Sequence, residues 1–184
     1  MDRLINAILK LSREGRRVLL AEPVELTCLV ETLRESVAHQ LVERGATIEI
    51  GPLPRIVSDR LALEQILGNI VENAVKYLDP SRPGLVRVQA EDAGPLIRLA
   101  ISDNGRGIAP GDFERIFDLF RRAGRQDVPG EGIGLAHTRA LVRRLGGSIE
   151  VASTPGEGST FTVTLPKVLD EAETTRTHEK ESAA

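Results

Sequence analysis

Two asparagines and a lysine lie in line within one short segment of the chain. In QILGNIVENAVKY, residues 65–77, apolar positions recur every three to four residues, which predicts a helix with one buried face. Gln65, Asn69, Asn73 and Lys76 follow at spacings of four, four and three, so they share a second face. Asparagine is a poor helix former, so a line of asparagines needs a reason. An amide oxygen is a good ligand for Mg2+ and a lysine can neutralise phosphate; a polar stripe that hydrogen-bonds neighbouring loops is the alternative.

A second segment, SDNGRGI at residues 102–108, ends an apolar strand with a carboxylate. Asp103 would lie in a medium of low dielectric constant, where an unpaired charge is unfavourable, so it needs a hydrogen-bond donor. Gly105 and Gly107 allow a tight turn directly after it. The segment therefore predicts either a site for a donor group of a ligand or, more simply, a turn shaped by Asp103 and Asn104.

A third segment, GEGIGL at residues 130–135, has three glycines at alternate positions immediately before a predicted helix. Glycines allow close backbone approach, and a helix start offers unpaired N–H groups and the positive end of the helix dipole. These features suit a phosphate chain, whereas a flexible loop is the alternative. The Gly-Lys-Ser/Thr of a P-loop is missing and no strand immediately precedes the glycines, which argues against that loop and the dinucleotide fingerprint.

The elements around these segments predict an α/β protein. Helices are expected after Ser58 or Asp59, either of which can cap the helix start, and over residues 2–17, 24–44, 111–120 and 133–147. Strands are expected over residues 47–50, 85–91, 96–102, 148–153 and 160–166, the last with Phe161, Val163 and Leu165 pointing inward. Together these elements predict a two-layer sandwich, a mixed but mostly antiparallel sheet of about five strands with helices packed on one face.

The composition limits what the chain can bind. Its 184 residues can bury one core of ordinary domain size, and 41% hydrophobic and 28% charged residues are typical of a globular protein. A net charge of −3, four Phe, one Tyr and no Trp argue against a protein that coats nucleic acid or an anionic membrane. The single cysteine, Cys28, excludes an internal disulfide and is expected in the core. Because no membrane-length apolar run or signal peptide is visible, we expect a cytoplasmic protein.

In their order along the chain, these segments resemble the ATP-binding catalytic domain of bacterial sensor histidine kinases. NIVENAVKY looks like the N box of that family, DNGRGI and GEGIGL like its two glycine boxes, FERIFDLFRR like its F box, and PGEGSTF like its closing glycine segment. The resemblance covers roughly residues 24–166 and implies the Bergerat fold. It also implies three regions: a remnant of a dimerisation and phosphoacceptor helix over residues 1–18, the ATP-binding catalytic domain over 19–167, and a tail over 168–184 that is polar and expected to be disordered.

The resemblance implies that Asn73 ligates Mg2+ and that Asp103 accepts a hydrogen bond from the exocyclic amine of the adenine of ATP. That contact would favour adenine over guanine, which carries a carbonyl at the corresponding position. Catalytic roles are implied for Asn69, Lys76 and Arg122. Nucleotide contacts are implied for Lys76, Tyr77, Gly105, Gly107, Ile108, Gly132, Gly134, Leu135 and Thr160. Residues 109–131 would form a lid, with Phe117 and Phe120 at its hinge.

The reaction implied by the resemblance is transfer of the γ-phosphoryl group of ATP to a histidine. Related topoisomerase and chaperone ATPases carry a water-activating glutamate four residues before the metal asparagine, where this chain has Asn69; the role of Glu72 stays open. His39, His137 and His178 all lack the acceptor motif, so a dimerisation domain would supply the histidine and a response regulator would act downstream. The domain alone would not autophosphorylate. Two other functions remain open, a regulatory ATP-binding module without kinase activity and a serine kinase of the anti-sigma-factor type.

Overall fold

A computed structural model of the protein describes residues 17–119 and 132–169. The strands are β1 (Glu22–Glu25), β2 (Ala46–Ile50), β3 (Arg55–Ser58), β4 (Gly84–Ala93), β5 (Leu96–Asp103), β6 (Ser148–Thr154) and β7 (Gly158–Pro166). The α-helices are α1 (Leu26–Ser36), α2 (Ala38–Glu43), α3 (Arg60–Lys76) and α4 (Gly134–Arg144), and two 3-10 helices span Pro110–Asp112 and Arg115–Phe117. The helix predicted over residues 2–17 lies outside the described residues, as do Phe120, Arg122 and His178. Within the described ranges, every helix is too short or too polar to cross a bilayer.

Five strands form the main sheet, in the order β2–β4–β5–β7–β6. Strands β2 and β4 are parallel, and the other neighbouring pairs are antiparallel. Alternate residues of β5 and β7, among them Ile97, Leu99, Phe161 and Val163, are buried beneath the helices. The predicted sandwich, with a mixed and mostly antiparallel sheet covered by helices on one face, is therefore confirmed. A smaller sheet pairs β1 with β3.

Helix α3 is the element that joins the two layers. It contacts α1 and α4 beside it and the strands β4 and β5 beneath it. Its buried residues follow the predicted period of three to four and include Leu63, Ile66, Ile70 and Ala74. Because this stripe fixes the rotation of the helix, the line of asparagines is directed away from the core.

Asp59 caps α3, as one of the two predicted alternatives, and also holds the chain that enters the domain. Its carboxylate accepts hydrogen bonds from the backbone N–H groups of Ala62 at 2.8 Å and Leu20 at 2.7 Å and pairs with Arg17. Burial would raise the pKa of this carboxyl, but the hydrogen bonds and the charge of Arg17 outweigh it and hold the pKa below its usual value. Asp59 therefore stabilises the fold at neutral pH, and this contribution is lost as the pH falls through the lowered pKa.

The helix predicted over residues 24–44 is wrong at its start and in its middle. Val24 lies in β1, paired with β3 and fully buried. The helix breaks at Val37, where φ is −103° and ψ is 8°, and continues as the short α2. Before the break, the Ser36 hydroxyl donates to the Leu33 carbonyl at 2.6 Å, a local hydrogen bond of the kind that competes with the helical backbone.

The helix predicted over residues 111–120 is replaced by the two 3-10 helices. Pro110 lies at the start of the first, and Asp118 ends the second with extended angles, φ −81° and ψ 145°. Ile116 and Phe117, adjacent in the sequence, are both buried. The segment is therefore anchored to the core by two neighbouring side chains and is too short for a regular α-helix.

Two smaller predictions are also corrected. Cys28 is exposed rather than in the core, because the buried face of α1 is formed by Leu26 and Leu29. At the other end of the domain, Leu169 is buried and its N–H donates to the Val57 carbonyl at 2.8 Å. The ordered chain therefore passes the predicted boundary at residue 167, and the rest of the predicted tail lies outside the described residues.

Candidate functional site

Helix α3 brings the three polar or glycine-rich segments together. Near its middle, the Asn69 side-chain amide donates to the carbonyl of Gly134 at 3.3 Å, at the start of α4. At its C-terminal end, the Tyr77 carbonyl accepts a hydrogen bond from the backbone N–H of Arg106 at 3.0 Å. Asn73 lies on α3 between these two contacts, one turn from each. The three segments that the sequence singles out therefore line a single site.

The side chains of Asn73 and Lys76 are available for contact with a ligand. Both are half-buried, and neither side chain forms a hydrogen bond or ion pair with another residue in the described part of the chain. The Lys76 ammonium lies 5.3 Å from the centroid of the Tyr77 ring, and the Arg106 guanidinium lies 4.4 Å from it. Tyr77 is thus in contact range of two cations at the end of α3. An amide and an ammonium group are therefore available for a ligand beside the glycine segments.

Asp103 lies at the end of β5 on the face that the helices cover. Its carboxylate accepts a hydrogen bond from the Gly105 N–H at 2.8 Å and another from the backbone N–H of Ser159. Burial nevertheless dominates these two hydrogen bonds and raises the pKa of Asp103 to about 6. A partly buried carboxylate with a raised pKa gains from an additional donor, which is what the sequence predicted for this position.

Thr160 is not brought together with the other predicted residues. Its hydroxyl donates to the Ser102 hydroxyl at 3.0 Å, and the two residues pair across β5 and β7 on the face opposite Asp103. Ser159 pairs with Asp103 instead and is buried. The sequence contained the signal for this, because Phe161 was expected to point inward and residues two apart share a face. Ser159 therefore replaces Thr160 in the candidate site.

The start of α4 is free of side-chain caps among the described residues. The first backbone hydrogen bond within the helix runs from the His137 N–H to the Ile133 carbonyl, at 2.9 Å. The N–H groups of Gly134 and Leu135 precede it and, like that of Ala136, have no partner within the helix. Gly132 adopts a φ of 71°, which lets the chain turn into the helix. This end of α4 has the geometry and dipole direction of an anion site.

Asn69 is a structural link rather than a free group. Besides the Gly134 carbonyl, its amide donates to the Thr138 hydroxyl at 3.3 Å, and that hydroxyl donates to Gly134 at 2.9 Å. Both contacts belong to α4, so Asn69 sets the distance between α3 and the start of α4. Glu72, whose role the sequence left open, is exposed.

Two of the predicted residues, Ile108 and Phe117, are anchored to the core. The Ile108 N–H donates to the Ser153 hydroxyl at 2.8 Å and its side chain packs on the core, so its backbone donor is already used. Phe117 is buried, and Arg139 of α4 lies 5.3 Å from its ring and donates to its carbonyl at 3.2 Å. The hinge residue predicted at Phe117 is thus tied to the helix that begins at the glycine segment.

A change of Gly107 to alanine is expected to disturb this site more than the same change at Gly94. Both residues have left-handed backbones, with φ of 69° and 73°. A Cβ on Gly107 would lie 2.1 Å from the Thr154 carbonyl oxygen, whereas one on Gly94 meets nothing within 4 Å. Gly94→Ala should therefore show only the left-handed strain, about 1–2 kcal/mol, and Gly107→Ala about 1–3 kcal/mol more. Urea denaturation of both variants measures the difference, and equal losses would mean that the turn at Gly107 is not closely packed.

Comparison with known proteins agrees with the family resemblance of the sequence motifs. The family described as "Histidine kinase-, DNA gyrase B-, and HSP90-like ATPase" matches residues 58–169, more than half of the chain. The aerobic respiration control sensor protein ArcB of Escherichia coli is 33% identical over 186 residues, covering 94% of this chain and 24% of ArcB. The sensor histidine kinase AtsR of Burkholderia thailandensis is 35% identical over 167 residues, covering 85% of this chain and 27% of AtsR.

A solved structure agrees with these sequence matches. The crystal structure of full-length ShkA in complex with AMPPNP matches with a TM-score of 0.76 and 31% identity, over 91% of this chain and 36% of ShkA. This chain spans about a quarter of the two curated relatives, 24% and 27% of their lengths. The chain therefore belongs to the histidine kinase-, DNA gyrase B- and HSP90-like ATPase family, within which it corresponds to the ATP-binding catalytic domain of the sensor histidine kinases.

Proposed function

We propose that this chain binds ATP with Mg2+ and transfers the γ-phosphoryl group to a histidine on a dimerisation domain. The observation that carries the proposal is the position of Asn73 and Lys76 on α3, between its contacts with Gly134 and Arg106. Neither side chain has a hydrogen-bonding partner among the described residues, although both are half-buried. Phosphoryl transfer requires mainly alignment and neutralised charge, and these two groups can supply both.

The adenine would lie against Asp103. Its exocyclic amine would donate to the carboxylate, which already accepts from Gly105 and Ser159 but keeps a raised pKa because of its burial. Gly105 and Gly107 would shape the turn beside the base, because each lies too close to neighbouring backbone to carry a Cβ, and Ile108 would lie next to them. The family resemblance and this carboxylate support adenine rather than guanine, whose carbonyl would face the acidic oxygens.

The phosphates would lie at the start of α4. The N–H groups of Gly132, Gly134 and Leu135 would donate to them, and Lys76 would add a positive charge. Because the dipole of one helix contributes only about 0.3–1 kcal/mol at an exposed site, the binding energy must come from several donors and a cation. Tyr77 and, from outside the described residues, Arg122 would complete the contacts.

Mg2+ fits the residues present. The amide oxygen of Asn73 is uncommitted, and the described part of the chain holds no group of three or more His, Cys, Asp or Glu that could form an all-protein metal site. Magnesium commonly keeps few protein ligands and takes the rest from phosphate and water. When bound, it would supply the positive charge that offsets the charge on the phosphate oxygens.

The transfer itself would use a histidine nitrogen as nucleophile. Its lone pair forms the N–P bond while the bond from the γ-phosphorus to the β,γ-bridging oxygen breaks, and ADP leaves with that oxygen. Asn69 cannot act as a base for water, because an amide does not titrate in this range and its NH2 group is bonded to Gly134 and Thr138. We therefore expect transfer to the acceptor to exceed hydrolysis.

The acceptor would lie outside the described domain. His39 is exposed on α2, 3.5 Å from Glu43, and His137 is buried in α4. Neither has the His-Glu/Asp motif, so the acceptor belongs to a dimerisation domain, of which residues 1–18 would be the last part, with residues 19–167 as the catalytic domain. The phosphoryl group would pass on to a response regulator. Because ATP is the substrate, we assign the domain to the cytoplasm.

Two measurements test this proposal. Calorimetric titration with ATP and GTP, each with and without Mg2+, should show magnesium-dependent binding that prefers ATP. Incubation with radiolabelled ATP and a histidine-bearing dimerisation domain should then label that domain with acid-labile phosphate, and the same domain with its histidine replaced by alanine is the control. Acid-stable label would favour the serine kinase, binding without transfer would favour the regulatory module, and no ATP binding would overturn the proposal.

A further inference from the structure

Arg82 lies outside every recognised motif, on the loop between α3 and β4, and binds three backbone carbonyls. Its Nε donates to Asn104 at 2.8 Å, and its Nη2 donates to Gly105 at 2.9 Å and to Gly156 at 2.6 Å. Asp79 lies 3.7 Å from the same guanidinium. Arg60, Arg87 and Arg98 are each in one exposed ion pair of a kind that contributes little, whereas Arg82 has three short bonds to carbonyls.

The three carbonyls belong to two segments that are distant in the sequence. Asn104 and Gly105 follow Asp103 directly, while Gly156 lies in the turn between β6 and β7, three residues before Ser159. Asp103 and Ser159 are the pair that would face the adenine. Arg82 therefore ties together the two turns that carry the two halves of the proposed base site.

Other hydrogen bonds support the same turns but do not replace Arg82. The Asn104 side chain accepts from the Leu85 N–H at 2.8 Å and donates to the Pro83 carbonyl at 2.9 Å. The Gly156 N–H donates to the Arg106 carbonyl at 2.8 Å. The first two bonds hold only the Asp103 side, whereas the third joins the two turns, as the bond from the Ser159 N–H to the Asp103 carboxylate joins the strands next to them. Arg82 adds charge-assisted bonds to both sides, which are stronger than neutral ones.

Arginine is well suited to this arrangement. The guanidinium group has five N–H donors in a rigid plane and does not lose its charge in proteins, so it can serve several carbonyls in a fixed geometry. Lysine carries one compact ammonium on a flexible chain and can satisfy fewer of them in place. Glutamine at this position would keep some length and polarity but lose the charge and most donors.

We infer that Arg82 is a positioning residue for nucleotide specificity, which holds Asp103 and the adjoining turn in the geometry that the adenine requires. The inference rests on the proposed function, because it concerns the base site of that function. Arg82 itself bonds backbone carbonyls rather than the site's side chains, so it acts through Asp103 and Gly105. Its loss should weaken binding at the base, with much less effect on the phosphoryl groups held by α3 and α4.

The test compares Arg82→Gln and Arg82→Lys with the parent chain and with Arg98→Gln as control. Arg98 lies on β5, like Asp103, but on its exposed face, paired only with Glu91 at 3.4 Å among the described residues. The dissociation constants of ATP and GTP are measured by calorimetry with Mg2+. We expect Arg82→Gln to weaken ATP binding by at least about tenfold and GTP binding much less, with Arg82→Lys between it and the parent and Arg98→Gln like the parent.

The comparison of ATP with GTP distinguishes a positioning role of Arg82 from a purely structural one. It also distinguishes failure of this inference from failure of the proposed function. Parental affinity and preference for ATP in Arg82→Gln would overturn the inference, as would an equal loss for ATP and GTP, because a merely structural role predicts no change in the preference. Circular dichroism and urea denaturation show whether each variant is folded; if Arg82→Gln is not, Arg82→Lys decides by the same criterion. A parent chain that fails to bind ATP would instead refute the proposed function, and this inference with it.

Discussion

Replacing Asn73 by alanine is expected to abolish magnesium-dependent ATP binding while leaving the fold at least as stable as before. The Asn73 side chain has no hydrogen bond to another described residue, so its removal leaves no buried partner unsatisfied. Alanine is also the better helix former, by up to about 0.7 kcal/mol. The proposed contact of the Asn73 amide oxygen with Mg2+, in contrast, cannot be replaced by the alanine methyl group. We expect ATP affinity in the presence of Mg2+ to fall by at least about 100-fold, since even outer-shell changes at metal sites cost about 10–100-fold.

The measurement is calorimetric titration of parent and Asn73→Ala with ATP, each with and without Mg2+, together with urea denaturation of both. Glu64→Gln is the matched control, because Glu64 lies on the same helix but pairs with Arg60 at 3.1 Å, away from the glycine segments. Unchanged affinity for ATP in the presence of Mg2+ in Asn73→Ala would show that Asn73 is not a ligand of Mg2+. Loss of binding together with loss of stability would mean that the asparagine serves the helix and not the ligand.

The parts of the fold that the sequence predicts well are those with a complete periodic pattern. Helix α3 has a capping residue, Asp59, and a buried stripe that repeats along its whole length. The sequence therefore predicts both where the helix starts and which face it buries. The paired strands β4 and β5 alternate over many residues and are joined by a turn. Each of these elements repeats the same signal several times, and local exceptions do not hide it.

The parts that the sequence did not predict depend on contacts between distant residues. Strand β1 has four residues of which Val24 alone is buried, so its pairing with β3 leaves almost no pattern. The break at Val37 and the 3-10 turns at Phe117 are likewise short, and tertiary packing decides them. In each case the helical pattern of the sequence continues over residues that the core holds in another conformation.

The sequence predicts most residue types of the candidate site, but it predicts less well the residues that hold them in position. Asp103 is predictable because a carboxylate at the end of a buried strand is unusual in itself. The prediction of Thr160 is wrong where strand alternation indicates Ser159, because Phe161 points inward and residues two apart share a face, which places the serine and not the threonine on the inner face. Arg82 could not be found from the sequence, since its value depends on three carbonyls that only the folded chain brings together.

Replacement of Asp103 by asparagine is expected to remove the preference for adenine and, with it, a specific dependence on pH. In the proposed contact the ionised carboxylate of the parent chain is a stronger acceptor for the adenine amine than the protonated acid, and burial has raised its pKa to about 6. ATP affinity should therefore be full at about pH 8 and fall as the pH drops through about 6, because protonation removes the negative charge that strengthens the hydrogen bond from the amine. An asparagine amide can either accept from adenine or donate to the carbonyl of guanine. We expect the preference for ATP over GTP to fall by at least about 100-fold, since sites built around a buried hydrogen bond discriminate strongly.

The nucleotide-free protein offers an independent check of the same carboxyl group. Its pKa is about 6 in the folded chain, whereas its ordinary value is 3.8, so the unfolded chain ionises first and burial opposes the charge. The contribution of Asp103 to the free energy of unfolding should therefore decrease as the pH rises from about 4 to 6, by about 2–3 kcal/mol, and stay at that lower level above. The asparagine of the Asp103→Asn variant cannot ionise, so the difference in stability between this variant and the parent should shift in favour of the variant over this window. Asp59, whose pKa is lowered, acts at more acidic pH and is common to both proteins. Urea denaturation of the two proteins from about pH 4 to 8 measures this difference in stability. A difference that does not change with pH would show that Asp103 is not held in the buried, ionisable state on which its proposed contact with adenine depends.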